Sequence, residues 1–263
     1  MNIEKCYVIE NSYLSKEIQN IKINYHIISS KEDLLQALIG ESFDLLISNG
    51  CPYILPISQM PQATYVNIHP SFLPDLRGRT PTVGSILFEK DSGATAHIMD
   101  DGTDTGEIIS RVKIPFSYDL DVALLYQLVF RAEKEVFNKA FELNFRVQQP
   151  QLKKENHIYF SYSQKDRYVS CHEPVSKTIQ RVKAFSCQTK GALLCSEGKE
   201  IQTFYAEAIE NEYVKDICRQ RQAEVGEVIL VYEDCILVNA CDGIVKFSRL
   251  PNTHAITEGS KIS

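Results

Sequence analysis

An apolar strand that ends in polar residues decides the fold and marks a candidate site. Residues 64–74 read TYVNIHPSFLP. The first six residues have the apolar pattern of a strand, and Pro70 and Pro74 stiffen the chain where it leaves that strand. Asn67 and His69 are two residues apart on an extended segment, so both side chains point to the same face. The sequence therefore predicts that an amide donor and an imidazole share one pocket.

The segments around this strand alternate between strand and helix patterns. Short apolar runs predict strands at residues 6–9, 25–28, 43–48, 64–69, 93–99 and 108–116. Amphipathic spacing predicts helices at residues 31–39, 80–90 and 119–145. This alternation predicts an α/β fold with a Rossmann-like, mostly parallel sheet. In such a sheet, functional groups gather beyond the carboxyl ends of the strands.

The pattern changes after Pro150. Residues 153–156 have the composition of a linker, and the remainder is strand-like with frequent turns, apart from a short helix predicted around residues 174–185. Asp242-Gly243 between two alternating runs predicts a hairpin. We therefore predict a catalytic α/β domain over residues 1–150 and a small β-rich domain over residues 151–263.

Composition excludes several classes of protein. The 263 residues carry 28 Lys and Arg against 34 Asp and Glu, a net charge of −6. This balance argues against a nucleic-acid binder that relies on overall charge. The chain opens without a secretory signal pattern and has no apolar run of membrane-spanning length, and its eight Cys lack zinc-site spacing. We expect a cytoplasmic protein without a metal, and neither a membrane nor nucleic acid as its partner.

A second polar cluster follows the predicted strand at residues 93–99. Residues 100–106 read DDGTDTG, and they face Asn67 and His69 if the two strands are parallel neighbours. A carboxylate from this loop can then orient His69 and raise its basicity. These groups suit acyl transfer to an amine, because a His–carboxylate pair can take the amine proton and an Asn amide can stabilise the oxyanion. His97, in the strand that feeds the loop, is either a catalytic group or a buried partner of the loop.

Two stretches closely resemble the N10-formyltetrahydrofolate-dependent formyltransferases. They are NIHPSFLPDLRG at residues 67–78 and GATAHIMDDGTDTGEII at residues 93–109. The family pattern of Asn-x-His-Pro-Ser, a later Arg-Gly pair and a distant Asp-x-Gly is matched by Asn67, His69, Pro70, Ser71, Leu73, Pro74, Arg77, Gly78, Asp104 and Gly106. The resemblance implies that Asn67, His69 and Asp104 form the catalytic trio. Asn67 and His69 would polarise the formyl carbonyl, and Asp104 would accept the amine proton.

The resemblance also implies a co-substrate, N10-formyltetrahydrofolate. Its pterin ring would lie between the loop after residues 43–48 and the loop before Asp104, where backbone groups can contact its edge. The implied folate contacts are Asn49, Gly50, Tyr53, Ile54, Leu55, Ile98, Met99, Asp100 and Asp101. For Asp100 and Asp101 a structural alternative is a place in the turn, which Asp favours.

The C-terminal part resembles the OB-like β domain of the formyltransferases that act on tRNA or on sugars. Basic and acidic residues are close to balanced over residues 151–263, whereas a tRNA-binding domain needs a basic face. The resemblance is therefore closest to the nucleotide-sugar N-formyltransferases, which implies a nucleotide-linked amino sugar such as a dTDP-amino sugar, O-antigen or lipopolysaccharide biosynthesis, and a homodimer.

The pyrophosphate of such a substrate needs cations. The expected substrate contacts are Arg77, Gly78, Arg79, Thr80, Lys165 and Arg167, with Tyr159, Phe160 and Tyr162 as candidates for stacking on the base. For Arg79, Lys165 and Arg167 the alternative is a solvated surface position. Two other functions stay open at this point. One is methionyl-tRNA formylation, and the other is a folate-binding or nucleotide-sugar-binding module without activity.

Overall fold

A computed structural model describes residues 6–9, 14, 25–39, 42–51, 53–151, 157–187, 190–251 and 256–262. The predicted linker at residues 153–156 lies outside these described residues. The chain divides into two compact units. The first contains Met1–Ser85, Lys90–Phe116 and Tyr126–Ser161, and the second contains Ile86–Glu89, Ser117–Leu125 and Tyr162–Ser263. The domain boundary at residue 150 stays a prediction.

The first unit contains a six-stranded sheet. Its strands are β1 (Cys6–Ile9), β2 (Tyr25–Ile28), β3 (Leu45–Ser48), β4 (Thr64–His69), β5 (Ser92–Ile98) and β6 (Ile108–Ile114). The spatial order is β2-β1-β3-β4-β5-β6. The first four strands pair in parallel and the last two pair antiparallel. The predicted mostly parallel sheet is therefore confirmed.

Strand β5 pairs with β4 in the antiparallel direction, so the condition of parallel neighbours under which the loop after β5 would face Asn67 and His69 is not met. Asn67 lies opposite His97, and His69 lies opposite Thr95. The connection between the two strands contains helix α2 (Pro81–Phe88).

Two further helices belong to this part of the chain, α1 (Lys31–Ile39) and α3 (Val122–Glu142). One face of α3 is buried with apolar residues of the sheet, and the buried residues of this core are Cys6, Val8, Leu14, Leu45, Ile47, Val66, Ile68, Ala94, Ala96, Ile109, Ala132, Val136, Phe137, Ala140 and Phe145. The helix predicted over residues 119–145 is shorter at its carboxyl end because Asn144 and Phe145 adopt left-handed backbone angles. No helix of the described residues is long and apolar enough to cross a membrane.

The second unit is β-rich, as predicted. Its elements are α4 (Val175–Phe185), β7 (Ala192–Ser196), β8 (Lys199–Thr203), β9 (Tyr205–Ala208), α5 (Glu212–Arg221), β10 (Val228–Tyr232), β11 (Cys235–Ala240) and β12 (Gly243–Ser248). One antiparallel sheet has the order β10-β11-β12-β9, and β7 pairs with β8. The predicted hairpin is confirmed, since Ala240 pairs with Gly243 across the turn.

Helix α5 is absent from the sequence-based prediction, which expects strands and turns in this part of the chain. The Asn211 side chain caps the helix by accepting hydrogen bonds from the backbone amides of Tyr213 at 3.0 Å and Val214 at 3.3 Å. The apolar face of the helix packs on the four-stranded sheet, and the residues in contact are Val214, Ile217, Cys218, Ile229, Leu237 and Ile244. A capping Asn and apolar residues three and four apart are the signals that identify such a helix.

Candidate active site

A cleft of about 380 Å³ lies in the first unit. We define it by the end of β4, the segment after β3, and the loop that follows β5. The loop folds back on itself, because the Ile98 amide donates to the Glu107 carbonyl at 2.9 Å. Of the residues that the sequence singles out as chemical groups, Asn67, His69, His97 and Asp104 all line the cleft.

The Asp104 carboxylate contacts every other member of this group. Its Oδ1 atom accepts a hydrogen bond from Asn67 Nδ2 at 3.2 Å, and lies 3.5 Å from His69 Nδ1 and 3.6 Å from His97 Nε2. Its Oδ2 atom accepts from the Gly78 amide at 3.0 Å. The side chain is only 11% exposed. The arrangement therefore gathers an amide, two imidazoles and one carboxylate in a site that is largely shielded from water.

Backbone carbonyls determine which nitrogen of each imidazole carries a proton. His69 Nε2 lies 3.0 Å from the Leu76 carbonyl, and His97 Nδ1 lies 2.7 Å from the Ile98 carbonyl. A carbonyl oxygen only accepts, so each of these nitrogens is the donor. In the neutral rings, His69 Nδ1 and His97 Nε2 are then left as acceptors. His97 Nε2 is 3.3 Å from Asn67 Nδ2, which can donate to it.

Burial and mutual attraction compete in setting the protonation of His69 and Asp104. Burial is the largest influence on both groups, and it favours their neutral forms. For His69 burial prevails and lowers the pKa of the imidazole, although Asp104 and the Leu76 carbonyl favour the cation. For Asp104 the attraction of a protonated imidazole and the hydrogen bond from the Gly78 amide prevail, and they hold the pKa of the carboxyl group below its usual range. At neutral pH the site therefore holds a neutral His69 and an ionised Asp104.

The backbone at Asp104 is held in an unusual conformation. Its φ is +54°, in the left-handed region that costs a residue with a Cβ roughly 1–2 kcal/mol. Gln151 stabilises this conformation, because its Nε2 atom donates to the carbonyls of Asp104 at 3.1 Å and Gly106 at 2.8 Å. The Gln151 Oε1 atom in turn accepts from Arg77 Nε at 3.1 Å and from Arg77 Nη2. Strain that neighbouring contacts hold in place is a common feature of functional sites.

The residues expected to contact a folate separate into two groups. Gly50, Tyr53, Ile54, Leu55, Met99 and Asp100 line the cleft. Asn49, Ile98 and Asp101 are not among the lining residues. Asn49, the first residue after β3, is buried, and Asp101 accepts a hydrogen bond from the Ser58 amide at 2.9 Å.

The residues expected to contact a sugar nucleotide are more dispersed. Gly78 and Arg79 line the cleft, together with Tyr159. Arg77 instead binds Gln151, and the Thr80 amide lies 3.4 Å from the Phe160 carbonyl. Lys165 and Arg167 belong to the second unit, where Arg167 donates to the carbonyls of Lys190 and Gly191. Tyr162, also in the second unit, packs edge-on against Phe185.

Three contacts at or near the site escape motif reasoning. Gln151 and the Gly78 amide hold Asp104, and Glu133 of α3 accepts a hydrogen bond from Asn49. A backbone amide has no sequence signal. A single acidic residue at position 133 in the apolar stripe of α3 is the one available hint for Glu133. Among the described residues, no group of three or more His, Cys, Asp and Glu is arranged to hold a metal ion.

A family model described as formyl transferase matches residues 18–141. The resemblance to the formyltransferases is thereby confirmed over this segment. Among curated proteins, the methionyl-tRNA formyltransferase of Syntrophus aciditrophicus is 27% identical over 218 residues, which cover 80% of this chain and 67% of that protein. The methionyl-tRNA formyltransferase of Clostridioides difficile is 22% identical over 249 residues, which cover 92% of this chain and 78% of that protein. The trifunctional purine biosynthetic protein adenosine-3 of Drosophila melanogaster is 32% identical over 133 residues, which cover 48% of this chain and 10% of that protein.

Solved structures share the fold over most of the chain. An N-formyltransferase from Helicobacter canadensis, in complex with folinic acid and dTDP-3-aminofucose, superimposes with a TM-score of 0.70 at 15% identity, covering 94% of this chain and 99% of that one. HypX from Aquifex aeolicus in complex with tetrahydrofolic acid gives a TM-score of 0.68 at 20% identity, covering 95% of this chain and 45% of that one. The predicted fold class is therefore confirmed.

Proposed function

We propose that this chain, which carries a formyl transferase domain over residues 18–141, moves the formyl group of N10-formyltetrahydrofolate to the amine of a nucleotide-linked amino sugar. The observation that carries the proposal is the contact of one shielded carboxylate, that of Asp104, with both Asn67 and His69. Acyl transfer to an amine needs a proton acceptor and a donor for the oxyanion, and these residues supply both.

The two roles follow from the hydrogen-bond geometry. One hydrogen of Asn67 Nδ2 stays on His97 Nε2. The other, which bonds to Asp104 Oδ1 at 3.2 Å in the free site, is proposed to turn to the carbonyl oxygen that becomes negative as the amine attacks. His69 Nδ1 and Asp104 Oδ1 lie 3.5 Å apart with no proton between them in the neutral-ring state. The amine proton can therefore pass to Asp104 and be shared with His69. When the tetrahedral intermediate collapses, the bond between the formyl carbon and N10 of the folate breaks, and this proton passes to N10, so that tetrahydrofolate leaves. His97 is proposed to orient Asn67 through the 3.3 Å contact between their nitrogen atoms.

The apolar residues that line the cleft suit the binding of a folate. Leu55 and Met99 give it apolar walls, and Ile54 at its edge is 88% exposed, an apolar side chain left uncovered. A flat heteroaromatic ring can cover such a surface, while its polar edge is bound by backbone groups of the same segments. We propose that residues 50, 51, 53–55 and 99–100 hold the pterin. The bound folate supplies a formyl group on nitrogen that is ready for transfer to an amine.

The acceptor side of the cleft offers one cation and one aromatic ring. Arg79 lines the cleft, and its side chain makes no hydrogen bond or ion pair with the described residues. Arg77, by contrast, is occupied by Gln151. Tyr159, 60% exposed, lies beside Gly78, where it can stack on a nucleotide base. We therefore propose Arg79 as the phosphate contact and Tyr159 as the stacking platform. A homodimer and a role in O-antigen or lipopolysaccharide synthesis stay predictions from the family resemblance.

A second candidate acceptor is methionyl-tRNA. The observation that favours it is the Syntrophus aciditrophicus relative, which is named as a methionyl-tRNA formyltransferase. The near balance of charge over residues 151–263 argues against it, because tRNA binding depends on many phosphate contacts.

A parallel assay of acceptors tests the proposal. The purified chain is incubated with N10-formyltetrahydrofolate and, separately, with UDP-, dTDP- and GDP-linked amino sugars and with methionyl-tRNA. We expect at least one amino sugar to gain the mass of one formyl group. The same sugar with a hydroxyl group in place of its amine is the control and should gain none. Formylation of methionyl-tRNA alone, or of no acceptor, would overturn the proposal.

A further inference from the structure

A buried carboxyl group lies next to the cleft and has no part in the proposed chemistry. Glu133 is in the middle of α3, and its residue is only 3% exposed. Its Oε1 atom accepts a hydrogen bond from Asn49 Nδ2 at 3.0 Å. It forms no ion pair with any described residue. An ionised carboxylate in such a place would carry the full cost of an uncompensated buried charge.

Each of the two side chains in this hydrogen bond also has a buried oxygen atom without a hydrogen-bond partner. Glu133 Oε2 and Asn49 Oδ1 are both buried, and neither has a hydrogen-bond partner in the structure. Both atoms are acceptors if the carboxyl group is ionised, so they cannot satisfy each other. A single proton on Oε2 removes the conflict, because a carboxylic acid and a primary amide can form a two-point pair. In that pair the amide donates to one carboxyl oxygen and the hydroxyl donates back to the amide oxygen.

We infer that Glu133 is held as a neutral carboxylic acid in a two-point pair with Asn49, and that this pair positions the segment after β3 that lines the cleft. The positioning part rests on the proposed function, whereas the protonation part stands on the geometry of the two side chains alone. Glu133 touches no reacting group in this scheme. It is a positioning residue that acts through Asn49.

The groups around Glu133 favour its neutral form. Asn49 faces it from the segment after β3, and Asn49 Nδ2 also donates to the Ile68 carbonyl of β4 at 3.0 Å. Burial raises the pKa of Glu133 to about 7. The hydrogen bond from Asn49 acts in the opposite direction and lowers the pKa, but burial is the larger effect. No charged group of the described residues contributes to this shift. Glu133 therefore keeps its proton because the buried position disfavours the charged carboxylate.

The pair connects α3 to the cleft through one amide side chain. Asn49 bonds to Glu133 and to β4, and the next residue, Gly50, lines the cleft with a φ of +71°. Tyr53 and Leu55 of the same segment line it too. When the carboxyl group is ionised, the pair loses one of its two hydrogen bonds, and the segment stays attached to α3 only through the bond from Asn49 Nδ2 to Glu133 Oε1, beside an uncompensated buried charge.

The pH dependence of stability tests the protonation directly. The folded pKa of Glu133 lies above the 4.5 of an unperturbed Glu, so its contribution is full below about 4.5 and is lost as the pH rises to about 7. Over this window the unfolding constant should rise by up to about tenfold per pH unit in the wild type relative to Glu133→Gln. Gln offers the same acceptor and donor without titrating. Glu142→Gln, an exposed change in the same helix, is the control and should not alter the pH dependence.

Binding of tetrahydrofolate tests the positioning. Glu133→Gln should bind it at pH 6 as tightly as the wild type and keep that affinity at pH 9, where the wild type loses affinity. Glu133→Met, similar in size but unable to pair, should bind more weakly at both pH values.

Two results would overturn the inference, and neither measurement depends on turnover. Equal pH dependence of unfolding in wild type and Glu133→Gln would show that Glu133 is ionised in the folded protein. Equal loss of tetrahydrofolate binding in Glu133→Gln and Glu133→Met would show that the paired hydrogen bonds do not position the segment for binding. If no folate binds to the wild type at all, the proposed function fails while the unfolding test still decides the protonation.

Discussion

Both histidines of the site turn one ring nitrogen toward the carboxylate of Asp104, but only one of these nitrogens has a hydrogen-bond donor beside it. Each ring donates to a backbone carbonyl through one nitrogen and turns the other nitrogen toward Asp104 Oδ1, at 3.5 Å for His69 and 3.6 Å for His97. His97 can accept from Asn67, which lies 3.3 Å away. His69 Nδ1 has no such donor among the described residues. The site is therefore built with room for one additional proton between His69 and Asp104, which is the requirement for a base.

This arrangement predicts how the site titrates. Burial lowers the pKa of His69 from 6.5, so the neutral ring that can share a proton is present above that pH and is lost as the pH falls further. We expect the ring carbons of His69, followed by NMR, to titrate below 6.5. Asp104→Asn removes the charge that favours the imidazolium and should lower this pKa further.

The resonance of His69 is assigned as the one that is missing from the spectrum of the His69→Gln variant. A pKa for His69 at or above 6.5, or a higher value in Asp104→Asn, would contradict the proposed balance between burial and charge.

Motif reasoning identifies the residues that carry chemistry and misses those that hold them in place. Asn67 and His69 follow from residue type and their spacing on a strand, and Asp104 follows from the family resemblance. The contacts from the Gly78 amide and from Gln151 to Asp104 depend on how distant segments meet, and a sequence pattern does not contain that information. For Arg77 the sequence predicts a phosphate contact, and the structure shows that Gln151 binds its guanidinium group.

Among the elements, those with strong local patterns are predicted and those that depend on tertiary context are not. Strands β1, β2 and β4 and helix α1 begin and end where the sequence predicts. The antiparallel direction of β5 is not contained in the sequence pattern, because an apolar run has the same periodicity whichever way the strand runs. Helix α5 is missed although its capping signal is present at Asn211.

The cap of α5 gives a prediction at this scale. Asn211→Ala removes the oxygen that accepts from the amides of Tyr213 and Val214, so it should lower the free energy of unfolding by about 1 kcal/mol. Urea unfolding followed by circular dichroism measures the difference. Gln220→Ala, an exposed change in the same helix, is the control and should stay within about 0.5 kcal/mol of the wild type. Equal stability of Asn211→Ala and the wild type would show that the cap contributes nothing.

At the scale of the whole molecule, the fold and the substrate are separate questions. Solved structures that share the fold include an N-formyltransferase crystallised with a dTDP-amino sugar and HypX crystallised with tetrahydrofolic acid. A shared fold does not define the acceptor, which depends on the groups at the site. In this chain, Arg79 and Tyr159 at the cleft and the balanced charge of residues 151–263 favour a nucleotide-linked amino sugar over tRNA.

The central claim is that Asp104, with Asn67 and His69, catalyses formyl transfer. The most direct measurement is the rate of formyl transfer by Asp104→Asn, under the conditions in which the wild type formylates its acceptor. Asn keeps the shape of the side chain but cannot take the amine proton, so we expect kcat to fall by at least about 10²-fold while tetrahydrofolate binding is retained. A kcat close to that of the wild type would contradict the claim.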